Sequence, residues 1–361
     1  MPEVKFRDVT KSYKGIVAVH ELSLIVNNGE YFTFLGPMES GKTTTLNLIA
    51  GLIEPDEGEI YFDGKPMKGV PPEDRGVGFV FETFALFPHY NVYENVCYGP
   101  FVRGENPAST RNVAEEMLEM VLLEDRPDAM PNELSGGMKQ RVALARALTS
   151  GAKILLLDEP LGALDAKIRT ALAHDLRKIV KELGLTAIHV TNSVEEAMTI
   201  SDRIAIFNHG SLEQMGTPIE IYENPNSVFV MDITGDVNLF TGTTTQSGDC
   251  FTEVTTREGF VLHSTRSTAK LGASVHVAVR AEDSNIERRR TERIANRLWG
   301  IVKEKMFLLG FIKYLIELDN RQEIIIEIPT TMIDRMWEVG EEVDVVFDPC
   351  KMYIFPWEEP T

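Results

Sequence analysis

The chain has 361 residues, 43% of them apolar, and a formal net charge of −19. That length allows two or three domains, and the acidic charge argues against nucleic acid as a partner, because phosphate backbones attract clustered lysine and arginine. The sequence contains no run of about 20 apolar residues, which is the length needed to span a bilayer, and its first residues lack an apolar signal-peptide region. The three cysteines, Cys97, Cys250 and Cys350, have no metal-site spacing and are expected to be reduced thiols in a cytosolic protein.

The first motif that carries chemistry is a glycine-rich loop, GPMESGKT, at residues 36–43. It follows an apolar β-type run, residues 31–35, and precedes a helical stretch, residues 44–50, as the G-x-x-x-x-G-K-[ST] pattern requires. Backbone N–H groups and the helix N-terminus would bind phosphate oxygens, while Lys42 reaches the β- and γ-phosphates and Thr43 holds Mg²⁺. The predicted nucleotide-binding residues are Gly36, Pro37, Met38, Glu39, Ser40, Gly41, Lys42, Thr43 and Thr44.

Over about the first 235 residues, buried-type strands alternate with helical segments. Strands are predicted at 76–81, 154–157, 186–191 and 203–207, and helices at 110–123, 137–148 and 166–183. Alternation of this kind predicts an α/β layer architecture with central strands covered on both faces.

A second motif follows the predicted strand ILLL, which ends in two carboxylates, Asp158 and Glu159. Asp158 would lie near Mg²⁺, and Glu159 would orient or deprotonate the attacking water. The alternative is a strand followed by an ordinary acidic turn, and the phosphate loop upstream argues against it.

A third motif, LSGG, precedes that strand and opens a helix. Ser135 is a good N-cap, and the paired glycines Gly136 and Gly137 would let backbone amides approach another phosphate closely. A plain capped helix is the alternative.

From about residue 235 the chain changes to short strands separated by turns. Strands are predicted at 275–279, 299–304, 312–318, 323–328 and 343–347, after a connector at 216–236. They indicate a compact, barrel-like β-domain at 236–361. The basic cluster Arg288–Arg290 is interpreted as part of a solvated loop or short helix.

Together the motifs resemble the ATP-binding subunits of ABC transporters. The segment LSGGMKQ (134–140) resembles the family signature, LGALD (161–165) its D-loop, and Tyr13 the aromatic residue that stacks on adenine. Residues 80–95 resemble the segment that enters the helical subdomain, where the permease docks. GDVNLF (235–240) and VRAED (279–283) are similar to the C-terminal regulatory domain of importer subunits, a branch that handles polyamines, sugars, sulfate and iron, with GDVNLF most like the polyamine type.

The resemblance implies a P-loop NTPase cassette at 1–235, with a helical subdomain at about 88–150, followed by an all-β, OB/TOBE-like domain. It implies ATP and Mg²⁺ as cofactors, with Thr43, Glu82 and Asp158 as metal ligands. Two cassettes would pair head to tail, so that Ser135, Gly136 and Gly137 of one contact ATP on the phosphate loop of the other. Transmembrane permease subunits and a separate solute-binding protein would be further partners, and the chain would lie at the cytoplasmic face of the membrane.

Four positions depart from the family pattern: Glu39 replaces a small residue, Glu82 replaces glutamine, Asn192 replaces the switch histidine, and Met138 replaces glutamine in the signature. Asn192 can donate a hydrogen bond but cannot carry the charge of an imidazolium. His189 is not expected to compensate, because it would lie about 10 Å away on the opposite face of its strand.

If the Glu39 carboxylate faced the phosphates, like charges about 5 Å apart would cost on the order of 3 kcal/mol, roughly a hundredfold in affinity. The departures suggest an impaired site on a chain that keeps Lys42, Thr43, Asp158 and Glu159. Such a chain would hydrolyse ATP weakly, or would be a non-catalytic half of a heterodimer. A third reading, an ABC-type protein acting on DNA or ribosomes, is disfavoured by the acidic charge and the C-terminal β-domain.

Overall fold

The computed structural model describes residues 2–162, 166–248, 251–290, 294–332 and 335–357, except for the side chains of 166–168. The chain forms two compact units, residues 1–224 and 225–361. The division lies inside the predicted connector, eleven residues before the domain limit predicted at 235, and that limit stays a prediction. No helix among the described residues is long and apolar enough to cross a bilayer.

The first unit contains two sheets. An antiparallel sheet in the order β2-β1-β4-β5 comprises β1 (Val4–Tyr13), β2 (Ile16–Val26), β4 (Glu57–Phe62) and β5 (Lys65–Pro66). A larger sheet in the order β10-β9-β3-β8-β7-β6 comprises β3 (Tyr31–Leu35), β6 (Val77–Val80), β7 (Ile154–Asp158), β8 (Thr186–Thr191), β9 (Arg203–Asn208) and β10 (Ser211–Gly216). All pairs in the larger sheet are parallel except β9 with β10.

Seven α-helices are described in the first unit. They are α1 (Lys42–Ala50), α2 (Val92–Val102), α3 (Pro107–Met120), α4 (Gly136–Thr149), α5 (Ala166–Glu182), α6 (Val194–Ile200) and α7 (Pro218–Glu223). The helices α2 to α4 lie in the stretch predicted as a helical subdomain.

The parallel sheet is buried on both faces, which explains its continuous apolar runs. Every residue of β3 (YFTFL) and of β8 (TAIHVT) is buried, as are the first four residues of β7. β3 is adjacent and parallel to β8, and β8 is adjacent and parallel to β7. The carboxyl ends of these three strands therefore lie at one edge of the sheet. In sheets of this type, ligands bind at that edge.

The second unit contains the helix α8 (Val228–Ile233) and two five-stranded antiparallel sheets. One sheet, in the order β13-β12-β11-β14-β20, comprises β11 (Val237–Ser247), β12 (Thr252–Thr256), β13 (Val261–Ser264), β14 (Ser274–Arg280) and β20 (Met352–Pro356). The other, in the order β15-β19-β16-β17-β18, comprises β15 (Ser284–Arg288), β16 (Arg297–Leu308), β17 (Phe311–Leu318), β18 (Glu323–Pro329) and β19 (Glu342–Phe347). A core of its own, with Phe240, Tyr314, Trp337 and Phe347 among its members, fills this unit.

The interpretation of the basic cluster as a loop or short helix was wrong at its first residue. Arg288 ends β15, and the next two arginines form ion pairs, Arg289 with Glu342 and Arg290 with Glu287. Pairing with β19 supplies a partner strand that the local polar sequence did not reveal.

Candidate functional site

The phosphate loop connects the end of β3 to the start of α1, at the carboxyl edge of the parallel sheet. Gly36, Ser40 and Gly41 form its buried base, whereas Pro37 and Met38 are exposed on its rim. A Cβ at Gly41, where φ is +100°, would lie 2.2 Å from the Ala18 carbonyl oxygen. Glycine is therefore required at this position, because the backbone of β2 presses against the loop.

Lys42 begins α1 and directs its amine into the loop. Nζ donates to the carbonyl oxygens of Gly36 at 2.9 Å and Pro37 at 2.6 Å, and lies 3.3 Å from Ser40 Oγ. Burial lowers the pKa of Lys42, and the carboxylates of Glu159 and Asp158 oppose this shift. Thr44 follows in the same helix and is half-buried. The buried amine of Lys42 thus lies where the loop would enclose an anion.

Thr43 and Asp158 meet across the edge of the sheet. The exposed Thr43 hydroxyl donates to Asp158 Oδ1 at 3.0 Å. Burial raises the pKa of Asp158, the charge of Glu82 raises it further, and the Thr43 hydrogen bond opposes both.

A hydroxyl beside a carboxylate fits Mg²⁺, which prefers oxygen ligands. The described residues contain no group of three histidine, cysteine or acidic side chains that could hold a metal by themselves. An ion at Thr43 and Asp158 would therefore need further oxygens from a bound nucleotide or from water, as Mg²⁺ in phosphate-transfer sites commonly does.

Glu159 is hydrogen-bonded by Asn192, the residue at the predicted switch position. Asn192 Nδ2 donates to Glu159 Oε1 at 2.6 Å, and the Glu159 backbone N–H donates to the Val190 carbonyl at 3.0 Å. Glu159 has a left-handed φ of +43°, and burial raises the pKa of its carboxyl group. Asn192 Oδ1 is buried with no hydrogen-bond partner among the described atoms. Asn192 therefore reaches the expected catalytic carboxylate as a neutral donor.

The two unexpected glutamates lie differently. Glu82 is exposed just beyond β6, and its charge raises the pKa of both Asp158 and Glu159. Glu39 is also exposed, in a left-handed conformation with φ of +62°, and makes no hydrogen bond or ion pair with the described residues. The unexpected negative charge thus comes from Glu82 beside Asp158 and Glu159 and from Glu39 on the rim of the loop.

Tyr13 and the signature residues lie on exposed surfaces. Tyr13 ends β1, pairs with Ile16 across a two-residue turn and is 45% exposed. Ser135 caps α4, where its side chain accepts from Met138 N at 3.3 Å, and Ser135 and Gly136 are exposed while Gly137 is half-buried. The start of α4 thus presents N–H groups to solvent. Of the predicted D-loop, only Leu161 and Gly162 are described, and residues 163–165 lie outside the described range.

A buried polar network behind the site was not predicted from the sequence. His189 is fully buried; its Nδ1 lies 2.9 Å from Tyr31 Oη, and its Nε2 lies 3.5 Å from Glu196 Oε2. Thr191 also donates to Glu196 Oε2, at 2.7 Å. The alternation of side chains along β8 places His189 and Thr191 on one face of the strand, and this pattern could have indicated that the two residues share a polar environment. His189 serves this network, and nothing places it at Glu159.

Comparisons with known proteins agree with this geometry. A model of the ABC transporter family matches residues 19–162, and a model of the TOBE domain matches residues 277–355. A spermidine/putrescine import ATP-binding protein PotA from Trichormus variabilis is 41% identical over 91% of this chain and 87% of its own length. The chain belongs to the family of ABC transporter ATP-binding subunits. The PotA protein of Thermobifida fusca is 38% identical over 99% of this ABC subunit and 94% of its own length.

Solved structures show the same cassette. One is a dimeric ATP-binding cassette in a post-hydrolysis state bound to ADP and Pi, with a TM-score of 0.54 and 35% identity, covering 60% of this chain and 98% of the other. A dimeric bacterial ABC transporter cassette gives a TM-score of 0.55 at 36% identity, with the same coverage. The expected fold is confirmed, a P-loop ABC cassette followed by a TOBE-like β-domain, and the ABC subunit is of the ATPase class. The roles of individual site residues stay predictions.

Proposed function

We propose that this ABC subunit binds Mg-ATP and drives import of polyamines such as spermidine and putrescine. The observation that carries the proposal is the convergence of Lys42, Thr43 and Asp158 on one edge of the sheet, in a chain matched over almost its whole length by importer subunits. The subunit would pair with a second cassette and act on transmembrane permease subunits. A separate solute-binding protein would deliver the solute to the permease. It would lie peripherally at the cytoplasmic face of the membrane, with no nucleic acid as a partner.

The residues of the chain would bind and orient the phosphates. Lys42 Nζ would exchange its bonds to the Gly36 and Pro37 carbonyls for bonds to phosphate oxygens, and the loop N–H groups would add further donors. Mg²⁺, when held by Thr43 and Asp158 with Glu82 nearby, supplies charge neutralisation at the phosphates. Glu159 would orient or deprotonate the attacking water once its bond to Asn192 is released.

We further propose that this site is catalytically impaired. Asn192 occupies Glu159 Oε1 as a neutral donor and cannot supply a positive charge. Glu82 adds a negative charge near both catalytic carboxylates. Loss of one positioning or charge-stabilising group commonly costs two or three orders of magnitude in rate. The exposed signature at Ser135 and Gly136 could still complete the site of a partner cassette, which favours a heterodimer.

Turnover by the purified chain tests the impaired site. Asn192→His should raise turnover by about one to two orders of magnitude, because an imidazolium can stabilise charge where an amide cannot. Asn192→Gln is the matched control, since it keeps a neutral amide, and it should give no gain. Brisk hydrolysis by the isolated wild-type chain would contradict the impairment. No gain in N192H, with turnover appearing only when a second cassette is added, would support the alternative of a non-catalytic half-site.

Uptake tests the importer assignment. Cells that express this chain together with the permease and solute-binding protein of a polyamine importer should accumulate labelled spermidine, and Lys42→Ala should abolish that uptake. Accumulation that persists with K42A, or no accumulation of any polyamine, would contradict the proposal.

A further inference from the structure

A fixed cation lies over the ring of Tyr13. Lys11 Nζ is 5.7 Å from the ring centroid, within the range of a cation–π interaction. The same amine lies 2.7 Å from Asp56 Oδ1, and Asp56 Oδ2 accepts from the Ser12 backbone N–H at 2.7 Å. The Lys11 side chain is only 16% exposed, whereas Tyr13 is 45% exposed. The lysine is therefore held in place while much of the tyrosine remains accessible.

The strand register places this group close to the phosphate loop. Tyr13 is paired with Ile16 across the hairpin. Two residues further along β2 lies Ala18, whose carbonyl oxygen faces Gly41 so closely that a Cβ there would lie 2.2 Å away. Cross-strand and along-strand spacings put the Tyr13 backbone roughly 12 Å from the loop. That separation suits a flat group at the far end of a nucleotide whose phosphates occupy the loop.

The surroundings of Tyr13 are apolar and open on the same hairpin. Ile16 is 74% exposed and Val17 is 43% exposed. Because Ile16 is paired with Tyr13, the two side chains lie on one face of the hairpin, whereas Val17 is paired with Ser12 and lies on the other face. The exposed apolar pair of Tyr13 and Ile16 suits the face of a heterocyclic base better than it suits phosphate or sugar.

We infer that Lys11 and Asp56 are positioning residues for nucleotide binding, which hold the Tyr13 ring in the orientation that stacks on the base. The inference rests on the proposed ATP-binding function and adds two residues to it. The Asp56 carboxylate fixes the amine, the amine fixes one face of the ring, and the opposite face stays free for the base. A ring ordered before binding loses less conformational entropy when the base arrives, and this raises affinity without any direct contact from Lys11.

The competing interpretation is an ordinary ion pair that only joins β1 to the segment before β4. It predicts a change in stability with no preference for the base over the phosphates. Two probes separate the interpretations, because Mg-ATP carries the base and Mg-tripolyphosphate carries the phosphates alone.

The experiment is calorimetric titration of the full chain with each probe, in a Glu159→Gln background so that ATP is not consumed. Lys11→Met and Asp56→Asn should raise the Kd for Mg-ATP about three- to tenfold and leave that for Mg-tripolyphosphate unchanged. Lys11→Arg, which keeps both the ion pair and a cation for the ring, should retain the ATP affinity. Tyr13→Ala should weaken ATP binding at least as much as K11M, again with no effect on tripolyphosphate.

Each outcome is decisive. If K11M and D56N leave the Kd for ATP within twofold of its original value, or weaken both probes equally, the positioning role is wrong. If the parent chain binds ATP and Y13A binds it equally well, the base does not lie on Tyr13 and the inference fails while the proposed function stands. If the parent chain binds neither probe, the proposed function itself fails. Should K11M not fold, D56N and K11R still give the same comparison.

Discussion

At the scale of single residues, Glu39 combines a conformational and an electrostatic oddity. Its φ of +62° lies in the left-handed region, which costs a non-glycine residue roughly 1 kcal/mol. Its carboxylate is exposed, so solvent screens part of its repulsion toward a bound phosphate. The hundredfold penalty that would apply to an inward-facing carboxylate is therefore an upper limit.

Two substitutions separate these effects. Glu39→Gln removes only the charge and should lower the Kd for Mg-ATP by about threefold to tenfold at low ionic strength, with the gain shrinking at high salt. Glu39→Gly also removes the conformational cost and should additionally raise the midpoint of urea unfolding. Calorimetry at two salt concentrations checks the first effect. An affinity of E39Q that equals that of the parent at low salt would show that the carboxylate does not act on the nucleotide.

Glu82 raises the proton affinity of Glu159, the carboxylate proposed to be catalytic. Burial raises the pKa of Glu159, Lys42 lowers it, and the charge of Glu82 raises it. A base with a raised pKa is active only above that pKa, so the acid limb of the turnover profile is displaced toward neutral pH.

Glu82→Gln should move that acid limb to lower pH, because removal of a nearby negative charge makes the Glu159 carboxylate easier to form. Glu82→Asp keeps the charge and is the control that should leave the limb in place. Turnover measured across about pH 4 to 8 checks the shift. A limb that moves to higher pH in E82Q would contradict the electrostatic argument.

Much of the candidate site could be predicted from sequence because its residues follow one another in short motifs. The loop from Gly36 to Thr43 and the pair Asp158–Glu159 are each contiguous, and parallel strands bring them to one edge. The bond between Asn192 and Glu159 joins residues that follow two different strands, β8 and β7. No local pattern specifies such a contact, nor the left-handed φ of Glu159.

At the scale of elements, α1 depends on an arginine that lies far from it in sequence. Arg75 Nη1 donates to the carbonyl oxygens of Leu48 and Ile49 at 2.9 and 3.1 Å, and Nε and Nη2 donate to those of Val70 and Met67, each at 2.9 Å. The side chain is 2% exposed. The last carbonyls of a helix lack intrahelical partners, and here the guanidinium satisfies two of them.

Arg75→Met should therefore lower the free energy of unfolding by about 3 kcal/mol or more, because it leaves buried carbonyl oxygens without a donor. Arg75→Lys keeps the charge but not the planar set of donors, and should lose an intermediate amount. Urea denaturation of both variants provides the measurement. Unchanged midpoints in R75M would mean that water replaces the guanidinium without cost.

The bounds of strands could be predicted from the sequence where a strand coincides with an apolar run. The strand predicted at 186–191 has the observed bounds of β8, and the strand predicted at 154–157 misses only Asp158 of β7. The helix predicted at 110–123 begins at Pro107 instead, since Asn106 caps it and proline suits the first helical position. β11, with its TGTTTQS segment, has no apolar run, and its pairing with β12 and β14 decides its conformation.

At the scale of the whole molecule, each compact unit has its own buried core. One core contains Phe34, Leu46 and Phe207 around the phosphate loop, and another contains Phe240, Tyr314 and Phe347 in the β-domain. Both units, at 224 and 137 residues from the division of the chain, lie within the size range of independently folding domains. The residues proposed to bind the nucleotide all belong to the first unit.

The fragment 225–361 should consequently fold alone, and nucleotide should stabilise only the fragment 1–224. A ligand at about 100 times its Kd adds roughly 2.7 kcal/mol, which corresponds to a rise in Tm of about 5–10 °C for a domain of this size. Calorimetric scans of each fragment with and without Mg-ATP give both results, and Lys42→Ala in the first fragment is the control that should abolish the rise. A β-domain fragment without a cooperative transition would show that its core needs the rest of the chain. An equal rise in both fragments would show that the nucleotide acts outside the phosphate loop.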